Sequence, residues 1–429
     1  MNMNEIAKFT LQNFRAVKSA DIKLNGITVV SGENGCGKST MSQLLYYVLK
    51  YANDFEDLVI PEVNEQLQAF VDVLQQLAYY IYRHNRLKSS VSNPGMFGKR
   101  MHLLHMEDIP SFQKQASLIC DSFQEAFSED MHLLSPRLKF MFLSILKNAK
   151  EEDTINILLE KMCKQINEIL QKANLRFQSR SSSLLKKRIV EFFDTFPAFS
   201  LQEYGEIVID SKIPSIPLLH NIKKVLYIDT PMVVGLEPTR DFPQHWFDLN
   251  KKLRESSHRG YSVKVNRFIK DDILNGDAYY DDKGFVPSLK FKRNDGMIID
   301  LSECATGFRS FSAIQLLLKN RFLDKETMLI LDEPEAHLHP QWIVDYARLL
   351  VLLNKVVGVK LFIASHSTDM VASLRYIAEK EGTLDSLSFY MAKEVDSNGK
   401  TYNFESLDND IEPIFQSFNK SIDKLDRYV

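Results

Sequence analysis

Gly32-Glu33-Asn34-Gly35-Cys36-Gly37-Lys38-Ser39-Thr40 combines closely spaced glycines, a lysine and paired hydroxyls. The spacing Gly-x-x-x-x-Gly-Lys-Ser is a complete phosphate-binding loop. Its glycines let backbone N–H groups face a phosphate, and the helix that follows adds partial positive charge at its start. Lys38 is expected to reach the terminal phosphates of a nucleoside triphosphate, and the Ser39 hydroxyl to ligate Mg2+. Glu33, Asn34, Cys36 and Thr40 are expected to line the same ligand. Cys36 offers a chemical handle, since alkylation inside the loop should weaken nucleotide binding. A second group closes an apolar run, Met328-Leu329-Ile330-Leu331, with Asp332-Glu333. A carboxylate at the carboxyl end of a parallel strand stands where open α/β sheets bind ligands. Asp332 is expected to hold Mg2+ through water, and Glu333 to polarise an attacking water as general base. Alone, this pattern fits an acidic, solvated turn; together with the loop it completes a hydrolytic site.

These groups need a strand before the loop, a helix after it and a second buried strand. Ile6 to Phe14, Ala20 to Leu24 and Ile27 to Ser31 read as short strands. Met41 to Lys50 resumes helical periodicity, with Leu44, Leu45, Val48 and Leu49 on one face. From about Asp54 to Phe199 apolar residues recur at helical spacing, interrupted at Asn93-Pro94-Gly95 and Ser135-Pro136. Strand signals return at Glu206 to Asp210, Val225 to Asp229, Leu289 to Lys292 and Met297 to Leu301. Helix Phe311 to Leu318, strand Met328 to Leu331, helix Trp342 to Leu353 and strand Lys360 to Ala364 then alternate, as in a buried parallel sheet. The expected organisation is the first half of a head over 1–53, an inserted helical lobe over 54–204, and the second half of the head over 205–429.

The motifs carry a resemblance. Gly-x-Asn-Gly-x-Gly-Lys-Ser-Thr at Gly32 to Thr40 resembles the loop of ABC-type ATPases. Leu-Asp-Glu-Pro-Glu-Ala-His-Leu-His-Pro at Leu331 to Pro340 resembles the Walker B and D-loop of the RecF and chromosome-maintenance branch. Leu11-Gln12-Asn13-Phe14-Arg15 is similar to the N-terminus of that branch. The resemblance covers both ends of the chain, roughly Met1 to Lys50 and Met297 to Leu374, and leaves the helical middle unnamed. It implies an α/β P-loop NTPase with an ABC-type ATPase head, and ATP and Mg2+ as ligands. By the same resemblance His366, after the Lys360 to Ala364 strand, is the switch histidine touching the γ-phosphate. Catalysis would then rest on Lys38, Glu333 and His366.

The signature motif departs from the family pattern. In place of Leu-Ser-Gly-Gly-Gln the chain reads Leu301-Ser302-Glu303-Cys304-Ala305-Thr306-Gly307-Phe308-Arg309-Ser310. Thr306-Gly307 is aligned with the Ser-Gly core, because a hydroxyl and a bare amide at a helix start suit a phosphate. The rival alignment on Leu301-Ser302 would set Glu303 near a phosphate. Ala-Thr-Gly-x-Arg-Ser resembles stand-alone ATPases of prokaryotic anti-phage systems, such as the Septu ATPase and OLD-like and abortive-infection proteins. This implies a head-to-tail homodimer or higher oligomer sandwiching ATP, and a protein effector partner that carries the damaging chemistry. The stretch after His366 is too short for a Toprim nuclease. A RecF-like DNA-repair clamp and a slow-turnover regulatory ATP-binding protein are the alternatives. Tyr227-Ile228-Asp229-Thr230-Pro231 resembles a strand-end motif of these ATPases, with Thr230 a weak candidate in place of the missing Q-loop glutamine.

Other signals have ordinary explanations. His337 and His339 could bind zinc, but the D-loop resemblance accounts for them. Arg100-x-x-x-x-His105 matches an RNase spacing that chance supplies in a chain with 53 Lys plus Arg and 10 His. Basic segments at Lys251 to Lys270, Lys164 to Arg188 and Val73 to Met106 could follow a nucleic-acid backbone non-specifically. The net charge of −3 gives no global basic field. Hydrophobic residues at 45% and 28 Phe exclude a disordered chain. Cys36, Cys120, Cys163 and Cys304 show no CxxC spacing, and no stretch suits a membrane span. A cytoplasmic location without membrane partners is expected.

Overall fold

The computed structural model of the protein describes residues 7–87, 109–127, 136–239, 241–255, 262–284, 286–396 and 400–417. The chain divides into two compact units, Met1–Asn53 with Lys186–Val429, and Asp54–Leu185.

The first unit is built on a mixed sheet. β1 (Ala7–Phe14) and β2 (Val17–Lys23) pair antiparallel, and β3 (Ile27–Ser31) runs through the loop at Gly32 into α1 (Lys38–Asn53). In the second unit α2 (Glu56–Leu87) packs with α3 (Ile109–Phe127), α4 (Pro136–Ile145) and α5 (Ile155–Ser179). Its core is the helical stripe expected from spacing: Val63, Leu67, Phe70 and Leu74 of α2 are buried, as are Leu158, Leu159, Met162 and Ile166 of α5.

The division between units falls within α6 (Ser182–Phe193). β4 (Ala198–Glu203), which falls inside the expected 54–204 lobe, instead pairs antiparallel with β1, and β5 (Glu206–Asp210) adds to β4. β6 (Lys224–Ile228) leads to α7 (Gln244–Arg254) and α8 (Val263–Arg267), which continues as a π-helical turn through Leu274. A separate three-stranded sheet holds β7 (Gly276–Asp281), β8 (Ser288–Arg293) and β9 (Ile298–Asp300). Then come α9 (Thr306–Lys319), β10 (Thr327–Asp332), α10 (Pro340–Leu352), β11 (Lys360–Ser365), α11 (Thr368–Lys380), β12 (Leu387–Asp396) and β13 (Thr401–Asp408).

The large sheet runs β5-β4-β1-β2-β13-β12-β3-β11-β10-β6. From β12 to β6 it is parallel, with the expected β10 and β11 side by side; the β4–β5, β1–β4, β1–β2 and β12–β13 pairs are antiparallel. The β12–β13 hairpin, which local spacing had not revealed, sits between β3 and β2. In the parallel part β3, β10 and β11 are buried along their whole length, so apolar residues dominate both faces of each.

The period of two decides which way each side chain points. Leu329 and Leu331 join Phe311, Ile314, Ile343 and Met370 in one apolar cluster. Met328, Ile330 and Asp332 therefore face the other side of the sheet, where α1 packs. The carboxylate that closes β10 is thus aimed toward the helix that opens at Lys38.

Candidate functional site

The loop between β3 and α1 turns on left-handed glycines, Gly35 at φ 86° and Gly37 at φ 102°. A Cβ on Gly37 would lie 2.6 Å from Val17 Cγ2, so both conformation and space exclude a side chain there. The Lys38 ammonium donates to the carbonyls of Gly32 at 2.8 Å and Glu33 at 3.2 Å, which pins the curl. Cys36 is fully buried, and burial raises its thiol pKa, so the loop cysteine is poorly placed for alkylation. Glu33, Asn34, Gly35 and Ser39 are exposed.

An open cleft is lined by Arg15, Ala16, Asn34, Gly35, Gly37, Lys38, Ser39, Thr40 and Glu333. Loop and second carboxylate thus share one cavity. Glu333 has a left-handed backbone, φ 48°, unusual for a non-glycine residue. Its N–H donates to Ala364 O at 2.8 Å, which couples the turn after β10 to the end of β11. Its carboxylate lies 3.0 Å from His366 Nδ1, so the expected base and switch histidine meet.

Asp332 is buried beside this cleft. Burial raises its carboxyl pKa above the ordinary range, while the nearby Ser39 hydroxyl, the Tyr227 hydroxyl and Lys38 pull the other way. Tyr227 Oη donates to Oδ2 at 2.9 Å, and buried Oδ1 has no hydrogen bond. An uncompensated buried carboxylate oxygen close to Ser39 fits a hard divalent cation such as Mg2+.

Several participants were missed. Glu335, buried at 7% exposure, accepts from the Ser365 hydroxyl at 2.7 Å and from His366 N–H at 3.2 Å, which fixes the backbone that carries His366. The second Glu of Asp-Glu-Pro-Glu was its only signal. Arg15 lines the cleft, its guanidinium 5.1 Å from the Phe193 ring centroid. The resemblance of Leu11 to Arg15 assigns no role to the arginine.

Thr306 and Gly307 are not among the residues lining the cleft. They open α9, where Arg309 braces the preceding turn through the carbonyls of Ser302, Cys304 and Met232. Ser302 of the rival alignment is already bound to Asp300 Oδ1, through N–H at 3.0 Å and hydroxyl at 2.7 Å. Thr230 Oγ1 accepts from Met232 N–H at 3.2 Å, a local cap. His339 caps α10, and among the described residues no group of three or more His, Cys, Asp or Glu is placed to hold a metal.

Several residues of the basic segments have partners within the chain. Lys252 pairs with Glu255 at 2.8 Å, Arg254 with Glu237 at 3.0 Å and Arg176 with Glu62 at 2.5 Å. Arg180 lies over Phe55, and Arg188 bonds Tyr51 and Glu191. Lys88, Lys99, Arg100, His105 and Arg259 lie outside the described residues. Among the described residues no helix is long and apolar enough to cross a membrane.

Residues 5–114 match a family described as "AAA ATPase domain", and residues 168–372 one described as "AAA domain, putative AbiEii toxin, Type IV TA system". No curated protein matches the chain. Among solved structures it is similar to the Pyrococcus furiosus Smc head domain with an extended coiled coil bound to the C-terminal domain of ScpA, at 12% identity, 97% of this chain, 98% of that chain and a TM-score of 0.35. It is also similar to the SMC head domain from Thermotoga maritima, at 9% identity, 94% of this chain, 99% of that chain and a TM-score of 0.37. The phosphate loop and the matched domains define a P-loop ATPase of the AAA class.

Proposed function

We propose that the chain is a Mg2+-dependent ATPase, two copies of which join their heads across ATP and part on hydrolysis, gating an effector protein in prokaryotic anti-phage defence. The observation that carries the hydrolytic part is the meeting of Glu333, Lys38 and Ser39 at one cleft, with His366 Nδ1 3.0 Å from the Glu333 carboxylate.

In this reading the loop amides and Lys38 bind the phosphates. Ser39 and Asp332 would hold Mg2+, which would supply charge neutralisation at the phosphates. Glu333 accepts a proton from the attacking water, and His366 orients that carboxylate and contacts the γ-phosphate. Thr306 and Gly307, at the start of α9 and away from their own chain's cleft, would complete the site of a second copy. The bound state of Ser302 supports this alignment over its rival. The defence role rests on the toxin-system description of the matched family and on the Ala-Thr-Gly-x-Arg-Ser resemblance.

The test is light scattering of Glu333→Gln with and without Mg-ATP, alongside phosphate release by the wild type. The expected result is growth in mass on ATP, with turnover lost in the variant. A mass that ATP leaves unchanged, in a variant that still binds ATP, would overturn the sandwich. Turnover stimulated by DNA would favour the repair-clamp alternative.

A further inference from the structure

Asp332 Oδ2 is engaged by a neighbour that the reaction scheme leaves unused. Tyr227, 1% exposed, lies opposite Ile330 across the β6–β10 pair and donates its hydroxyl to Oδ2 over 2.9 Å. Its ring is held from two sides, 5.9 Å from Tyr46 and 4.7 Å from His245. His245 is itself fixed, with Nε2 2.9 Å from Asp229 Oδ2, while Trp246 Nε1 donates to Asp229 Oδ1 at 2.7 Å. A free carboxylate can rotate and offer either oxygen to a cation. A donor clamped on one oxygen removes that freedom and leaves the other for the metal. We infer that Tyr227 is a positioning residue, holding Asp332 so that Oδ1 faces the Mg2+ of bound Mg-ATP. This rests on the function proposed above.

The test uses Mn2+ as the probe, with a non-hydrolysable ATP analogue, and reads bound Mn2+ by electron paramagnetic resonance. Tyr227→Phe should weaken Mn2+ binding about 10-fold, the low end for loss of an outer hydrogen bond to a metal ligand. The Mg2+ concentration for half-maximal turnover should rise by the same factor, with kcat at saturating Mg2+ within about twofold of wild type. Tyr46→Phe removes a hydroxyl from the same stack that bonds Asp248 instead, and should leave Mn2+ affinity unchanged. Equal affinity in Tyr227→Phe and wild type would overturn the inference while sparing the ATPase reading. Equal losses in both variants would also overturn it. A wild type that binds no Mn2+ with nucleotide would sink the ATPase reading itself.

A separate observation lies in the helical unit. Cys120 of α3 and Cys163 of α5, which no sequence spacing links, have their Sγ atoms 3.2 Å apart. Both thiols are free. Cys120 is buried, whereas Cys163 is half-buried at the edge of an open groove with Ser117, Asp121 and Ile166. The geometry points to a reversible disulfide formed by a peroxide. The half-buried Cys163, the more accessible of the two, attacks the O–O bond as its thiolate, taking one oxygen as a sulfenic acid while the other leaves as water. The Cys120 thiol then attacks that sulfur, the S–S bond forms and a second water departs. Two thiols and one peroxide thus give one disulfide and two waters.

Treatment with hydrogen peroxide, followed by peptide mass spectrometry, tests this. The expected product is a Cys120–Cys163 linked peptide that dithiothreitol resolves and that Cys163→Ser and Cys120→Ala each abolish. Sulfinic acid at Cys163 without a linked peptide, or both thiols intact after treatment, would overturn the assignment.

Discussion

Glu333 and Asp332 are adjacent, yet the backbone sends them to different tasks. Asp332 continues the alternation of β10 and stays buried; Glu333 breaks it with φ 48° and turns into the cleft. A left-handed backbone at a non-glycine residue costs on the order of 1–3 kcal/mol and persists where the surroundings hold it, here through the Ala364 carbonyl. The buried Asp332 charge, with Oδ1 uncompensated, is a second cost of function. Asp332→Asn should therefore raise Tm by a few degrees while Mg2+-dependent turnover is lost; calorimetry and phosphate release check the two arms. Glu335 gives a pH prediction. Burial raises its carboxyl pKa above the ordinary 4.5 despite hydrogen bonds from Ser365 and His366. Its contribution to stability is thus present below the unfolded-state value and is lost as pH rises through the folded-state value. Urea midpoints measured upward from pH 4.5 should fall less steeply in Glu335→Gln than in the wild type.

At the scale of elements, the start of α9 is tied to α10 by packing. A Cβ on Gly307 would meet Trp342 Cε3 and Cζ3 at 2.6 Å and Leu338 Cδ2 at 3.2 Å. The indole also stands edge-on to Phe308 and Phe311, at 5.2 and 5.7 Å. The glycine thus has a packing reason independent of any phosphate. Gly307→Ala should destabilise by about 1–3 kcal/mol, and Trp342→Leu should relieve part of that loss in the double variant. A double-mutant cycle in urea measures it; additive effects would mean that the ring does not limit the site. Thr306 is then the cleaner position for testing a partner-site role.

For the whole molecule, the division into two compact units gives the expectation of two unfolding steps. Mg-ATP should shift only the step of the unit holding the loop, by about 2.7 kcal/mol at a hundredfold excess over Kd. Calorimetry with and without Mg-ATP checks this; a single transition moved as a whole would show one cooperative block instead. Much of the head was legible beforehand because its determinants are local. The β3 and β5 bounds and the loop followed from short apolar runs, glycine spacing and turn residues. The β12–β13 hairpin was not legible, since its pairing with β3 and β2 joins segments far apart in sequence. β4 was lost for the same reason: its partner β1 lies on the other side of the helical insertion.

The phosphate loop, the buried strand ending in Asp332-Glu333 and the helical stripes can be read along the chain, because each depends on residue type and short spacing. Which side chains meet is set by the folded arrangement of the elements. The Tyr227 hydroxyl reaches Asp332 across 105 positions, Ser365 reaches Glu335 across 30, and Cys120 meets Cys163 across 43. Those contacts are set by strand order and helix packing, which put distant residues within hydrogen-bond range, and no periodicity along the chain encodes them.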